Sequence, residues 1–153
     1  MRLTRSILHA LAYLWLAGAA TAAWACSCLP ETDEQRFAAA SAVLVVRIEA
    51  LESGMARHRV VPAGPTPVWR ASYVTLEVLK GTVADRGTVL DLRDGAGSCT
   101  VGLEPGDSAL LFLYDDLASV DLCGGSVVLT NTSGSGPAER LARVRALAAR
   151  SKR

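Results

Sequence analysis

The sequence predicts a small all-β domain: five short strands in a barrel, with a short helix before them and a longer one after. Three observations carry this. Apolar residues alternate with a period of two in several short segments. Turn signals separate those segments: Lys80-Gly81, Asp94-Gly95, Pro105-Gly106-Asp107 and Gly124-Gly125. Helical periodicity is confined to the two ends of the domain.

The elements follow in order. Pro30 to Ala40 reads as a helix, because Thr32 can cap it and Gln35, three residues on, completes a capping box. Phe37 and the alanines would face the body. Ser41 to Ala50 reads as a strand with Ala42, Leu44, Val46 and Ile48 on one face and Arg47 and Glu49 on the other. Ser53 to Pro67 holds Gly54, Pro62, Gly64, Pro65 and Pro67 and shows no period, so a mobile loop outside the core is expected. Val68 to Leu79 is a second strand, with Val74, Leu76 and Val78 alternating with Tyr73, Thr75 and Glu77. Gly87 to Arg93 is a third, with Leu90 and Leu92 inside and Asp91 and Arg93 outside.

Ser108 to Tyr114 is apolar on both faces and reads as a central strand. Ser119 to Cys123 and Ser126 to Thr130 are the last extended segments. Asn131 to Gly136 is a polar linker that contains the sequon Asn131-Thr132-Ser133. Pro137 suits the first turn of a final helix whose apolar face is Leu141, Val144, Leu147 and Ala148. Five strands in an open sheet would leave exposed edges, and closure removes them, so a five-stranded OB-like Greek-key barrel fits best. An immunoglobulin-like sandwich is the alternative: it wants about seven strands and a tryptophan between two cysteines. Trp69 does lie between Cys28 and Cys99.

Charge narrows the function. Over 153 residues the formal net charge is +1, which argues against a strongly basic nucleic-acid binder. From Cys26 to Gly136, 8 Lys and Arg stand against 14 Asp and Glu, a balance of −6. From Pro137 to Arg153, 6 stand against 1, a balance of +5. A basic terminal helix therefore offsets an acidic body.

The first 25 residues read as a signal peptide. Arg2 and Arg5 precede an apolar run from Ile7 to Ala20, and Ala23 and Ala25 flank Trp24 at a cleavage-like site. Cleavage after Ala25 makes Cys26 the N-terminus of a 128-residue chain. A retained membrane helix and a lipid on Cys26 are the two competing readings, and only these would bring a membrane in. The expected location is secreted or periplasmic, and a monomer is expected.

Four cysteines in an oxidising compartment make two disulfides. Cys26 and Cys28 are too close to bridge each other, so both reach to Cys99 and Cys123, in an order that spacing leaves open. Each such loop stabilises by roughly 4 kcal/mol in the loop-entropy model.

No catalytic signature is present: no G-x-S-x-G, Walker loop, H-E-x-x-H or G-x-G-x-x-G. Histidine occurs only at His9 and His58, which excludes a multi-histidine metal site. His58 falls in the expected loop and reads as a lone exposed histidine without a partner. Asp115-Asp116 reads as a solvated turn. The chain is read as a non-enzyme without metal or cofactor of its own.

The expected N-terminus, Cys26-Ser27-Cys28-Leu29-Pro30, carries a resemblance. A Cys-x-Cys start, a strand, the motif Ser98-Cys99-Thr100-Val101-Gly102 and a late cysteine resemble the inhibitory, netrin-like domain of the tissue inhibitors of metalloproteinases. The likeness spans most of Cys26 to Thr130. It implies an OB-type barrel and the disulfides Cys26–Cys99 and Cys28–Cys123. This chain lacks cysteines for the family's third bridge and lacks its second domain, so it resembles a minimal single-domain relative.

The resemblance implies a mechanism. The Cys26 α-amino nitrogen and carbonyl oxygen would chelate the catalytic zinc of a target metalloendopeptidase, at the position such enzymes keep open. A free α-amino group titrates near ~7.7–8.0, so a good fraction is neutral and able to bind metal. Ser27 would point into the primary specificity pocket, and Cys28, Leu29 and Pro30 would follow the cleft. Ser98, Cys99 and Thr100 would form a second contact ridge. The alternative is a secreted or lipid-anchored binding module in which both disulfides serve structure alone.

Overall fold

The computed structural model describes residues 28–93, 99–114, 118–130 and 135–152. The segment 1–25, Cys26, Ser27, the Asp94-Gly95 turn, Ser98, Asp115-Asp116 and the Asn131 sequon lie outside the described residues. Helix α1 is Asp33–Ala39, and strands β1 to β5 are Ala42–His58, Val61–Lys80, Arg86–Leu92, Ser108–Leu113 and Val127–Val128. Helix α2 is Gly136–Ser151. The strands form one five-stranded sheet in the order β3-β2-β1-β4-β5, every neighbouring pair antiparallel. A three-strand meander with β4 returning beside β1 is Greek-key order.

The chain is all-β with peripheral helices, as the patterning predicts, but the sheet is not closed. Among the described residues, no ladder joins β3 to β5. One parallel bridge, Leu90 to Ser119, lies against β3 instead. Leu90 N–H donates to Ala118 O at 3.1 Å, and Val120 N–H donates to Leu90 O at 2.9 Å. The expected strand Ser119 to Cys123 contributes only that bridge, because turns occupy the chain from Leu122 to Gly125. The segment Ser126 to Thr130 shrinks to the two residues of β5.

Two apolar layers fill the fold. Ala42, Leu44, Val46 and Ile48 of β1 join Ala71, Tyr73, Val89, Ala109, Leu111 and Val120 in the first. Val43 and Val45, on the opposite face, pack with Phe37, Leu110, Phe112, Val144, Leu147 and Ala148 in the second. The alternation read from β1 is therefore correct, and the doubly apolar β4 lies inside the sheet. The two helices cover the second layer.

Helix α1 begins at the capping box: Gln35 N–H donates to Thr32 Oγ1 at 3.2 Å, and Thr32 N–H to Gln35 Oε1 at 2.8 Å. Phe37 and Ala40 are buried, while Ala38 and Ala39 are exposed. Lys80 Nζ donates to Phe37 O and Ala38 O, satisfying carbonyls that a helix end leaves open. Arg140 and Arg143 of α2 both bond Asp33, and Arg145 bonds Glu77. Part of the basic tail is thus spent on the acidic body.

Two expectations fail. The stretch Ser53 to Pro67 is no loop: β1 and β2 pair through it, from Ser53–Trp69 and Gly54–Val68 to Arg57–Pro65 and His58–Val61. β4 pairs β1 only over Ala42–Arg47, and β3 pairs β2 only over Val68–Val74, so the ribbon beyond is two-stranded. Its outer edges need no ladder partner, which is why prolines fit there. The polarity of β3 is met only in part: Leu92 is fully buried as expected, but Asp91 and Leu90 depart from the alternation. Asp91 is fully buried on the side of Val89, and Leu90 is half-buried.

His58 is the third correction. It lies at the ribbon's tip and is buried. Its Nε2 lies 3.2 Å from both Leu90 O and Val120 O, and Nδ1 accepts from Val60 N–H at 3.3 Å. That pattern puts the ring hydrogen on Nε2, donated to the carbonyls on either side of the lone parallel bridge. Beside it, Arg59 Nε bonds Asp121 Oδ2 at 2.6 Å. The tip therefore folds back over the gap where the sheet fails to close. Arg59→Ala should raise amide exchange at His58–Val61 about tenfold, through loss of a charged hydrogen bond, and leave Ala109–Leu113 unchanged. Hydrogen exchange read by mass spectrometry checks this; equal rates in both proteins would show that the tip is held without Arg59.

Candidate functional site

The described part of the proposed ridge gathers at one end of the sheet. Cys28 is bonded to Cys123, the pairing that the resemblance implies. Leu122, the residue before Cys123, donates its N–H to Cys99 O at 3.1 Å. Thr100 follows directly. One bridge and one hydrogen bond therefore carry the chain from Cys28 to Cys99 and Thr100, across 95 residues of sequence at the disulfide. Cys99 is itself disulfide-bonded, and its expected partner, Cys26, is outside the described residues. Leu29 is 81% exposed and Pro30 is exposed, which leaves the segment after Cys28 free to meet a partner.

The second half of the ridge rests on Asp91. Its Oδ1 accepts from Thr100 Oγ1 at 3.1 Å and from Val101 N–H at 2.9 Å. Its Oδ2 accepts from Gly102 N–H at 2.9 Å and Leu103 N–H at 3.2 Å. Burial pushes this carboxyl above its ordinary range, against the pull of those donors. One carboxylate thus replaces the backbone partners that Thr100 to Leu103 lack, and fixes the loop in place.

The first half rests on a cluster around Cys123. Arg36 Nε donates to Cys123 O at 3.2 Å, and Tyr114 Oη donates to Gly124 O at 2.5 Å. The Arg59 guanidinium lies 4.3 Å from the centre of the Tyr114 ring. Asp121 Oδ1 accepts Gly124 N–H at 2.7 Å. Burial raises the Tyr114 hydroxyl above its usual range, with Arg59 and Arg36 pulling the other way, so it stays a neutral donor. Gly125 has φ +95°, and a Cβ there would come 2.6 Å from Arg36 Cδ. Glycine is what lets this arginine approach.

A hollow of about 380 Å³ opens beside the disulfide, lined by Cys28, Leu29, Glu31, Ala39, Arg59, Tyr114, Cys123 and Gly124. A second, of about 250 Å³, lies beyond Thr100 and is lined by Leu51, Trp69, Thr100, Gly102, Leu103 and Glu104. Among the described residues, no group of three His, Cys, Asp or Glu side chains could hold a metal ion. No helix among them is long and apolar enough to cross a membrane.

The sequence reading names Cys28, Leu29, Pro30, Cys99 and Thr100 through the resemblance, and the Cys28–Cys123 bridge with the Leu122–Cys99 hydrogen bond links the cysteines among them. The reading missed Asp91, Arg36, Arg59, Tyr114 and Asp121. The capping pattern hinted at Arg36 only as a helix residue, and nothing local marks the other four. The chain matches no protein-family model and no curated protein sequence.

Proposed function

We propose that this protein is an exported inhibitor of zinc metalloendopeptidases that acts through its mature N-terminus at Cys26. The observation that carries the reading is the continuity of Cys28, Cys123, Leu122, Cys99 and Thr100, linked by one bridge and one hydrogen bond. An N-terminal segment fixed at its third residue and flanked by a second fixed loop is a wedge prepared before binding. Such preparation reduces the ordering cost of association.

In this reading the Cys26–Cys99 bridge joins the two parts of the wedge. The Cys26 amino nitrogen and carbonyl oxygen bind the enzyme's zinc at its open position, and the metal belongs to the enzyme. Ser27 enters the specificity pocket, and Leu29 and Pro30 continue along the cleft with Ser98 and Thr100 beside them. The chain performs no catalysis, since it brings no acid, base or nucleophile to the zinc. The disulfide supports a location outside the reducing cytoplasm, with residues 1–25 removed as a signal peptide.

The test is hydrolysis by a panel of zinc endopeptidases in the presence of protein beginning at Cys26. Inhibition that depends on a free amino group supports the reading. Ser27→Gly should change which enzymes are inhibited while keeping inhibition itself. Unchanged preference would remove Ser27 from the specificity pocket.

A further inference from the structure

Apart from Thr100 at its rim, the hollow beyond Thr100 is lined by residues that the inhibitory reading does not use. Trp69 and Leu51 come from the paired strands β2 and β1, and Leu103 and Glu104 from the loop that Asp91 fixes. Leu103 is buried, Trp69 and Leu51 are half-buried, and Glu104 is exposed. Among the described residues, neither the Glu104 carboxylate nor the Trp69 indole N–H has a hydrogen-bond or ion-pair partner. Hydrogen bonds hold the wall at Glu104. Glu104 N–H donates to Asp107 Oδ2 at 3.0 Å, and Asp107 Oδ1 accepts from Thr130 Oγ1 at 2.6 Å. The Arg93 guanidinium lies 4.8 Å from the Trp69 ring centre, so this indole already takes one guanidinium.

We infer that this hollow is a binding site for a basic side chain, arginine or lysine, presented by a partner protein. Such a side chain has an apolar stem and a cationic head. Leu51, Leu103 and the indole match the stem, and the unpaired Glu104 carboxylate matches the head. Arg93 opposes a second cation, and Glu104 offsets it. Because the walls are held by Asp91 and Asp107, little ordering is needed on binding. The site adjoins the Cys99–Thr100 edge but does not depend on zinc chelation, and its test uses no protease.

The probe is N-acetyl-argininamide, added to the disulfide-bonded protein and followed by nitrogen-proton NMR. The Trp69 indole resonance, assigned by its loss in Trp69→Phe, and the Gly102 amide should shift together and saturate. N-acetyl-norleucinamide, which keeps a stem and lacks the charge, should bind about fivefold more weakly, and Glu104→Gln should weaken the arginine probe by about the same factor. Added salt should weaken the arginine probe alone. Equal binding of the two probes, or of the arginine probe to wild type and Glu104→Gln, would overturn the recognition of charge. Absence of a saturable shift at Trp69 with either probe would overturn the site.

Discussion

Asp91→Ala should lower the unfolding free energy by ~3 kcal/mol and release the Cys99–Leu103 loop. The substitution removes one carboxylate, strands the Thr100 hydroxyl and the N–H groups of Val101 and Leu103, and leaves Gly102 N–H only its bond to Thr100 Oγ1. Some of those donors would reach water once the loop moves, which limits the loss of stability but completes the loss of order. Denaturant unfolding measures the first effect, and exchange at Val101 to Leu103 the second. Wild-type stability with slow exchange would show that the loop is held by its disulfide alone.

The same residue gives a pH dependence with a definite sign. Burial raises the folded-state pKa of Asp91 above its ordinary 3.8. Between the unfolded and folded values the native state holds more proton than the unfolded chain, so the Asp91 contribution falls as pH rises. It is fully present below 3.8 and lost as pH passes through the raised folded value. The stability advantage of wild type over Asp91→Asn should shrink across that window. An advantage that grows would mean that the four donors outweigh burial.

Replacing both Cys28 and Cys123 by serine should cost about 4–5 kcal/mol, the loop-entropy value for a closure of this length. The bridge spans 95 residues and joins the chain before α1 to the turn after Leu122. Its loss should also remove the proposed inhibition, because the segment after Ser27 would no longer be fixed beside Cys99. The sheet should persist, since Cys28 and Cys123 belong to neither apolar layer. Thermal unfolding and far-ultraviolet circular dichroism read these effects separately. Unaltered stability would mean that the Arg36–Cys123 and Tyr114–Gly124 bonds already hold this end closed.

What was legible in the sequence was local or strictly periodic. The capping box at Thr32 and Gln35 needs three residues of spacing, and the two faces of β1 need only alternation. The ribbon was illegible because its prolines and glycines resemble a loop, while their tolerance depends on which strand edges lack neighbours. Asp91 was placed outside because a carboxylate in a strand is normally solvated. Its four donors lie 9 to 12 residues away, in a segment with no pattern of its own. Closure was overpredicted because turns occupy the segment that should have supplied a long last strand. The disulfide came from resemblance, and the arginine–tyrosine–aspartate cluster behind it joins residues that only the fold brings together.

The most direct measurement of the central proposal is inhibition by protein beginning at a free Cys26, compared with the same protein acetylated at that nitrogen. The reading is residual hydrolysis of a peptide substrate by a panel of zinc endopeptidases. Acetylation removes the donor pair of the amino group while leaving the sheet, the helices and the Cys28–Cys123 bridge intact. The account predicts inhibition by the free form, its weakening by about a hundredfold or more on acetylation, and a melting temperature unchanged within about 2 °C. Equal inhibition by both forms, or none by the correctly cut and bridged free form across the panel, would contradict it.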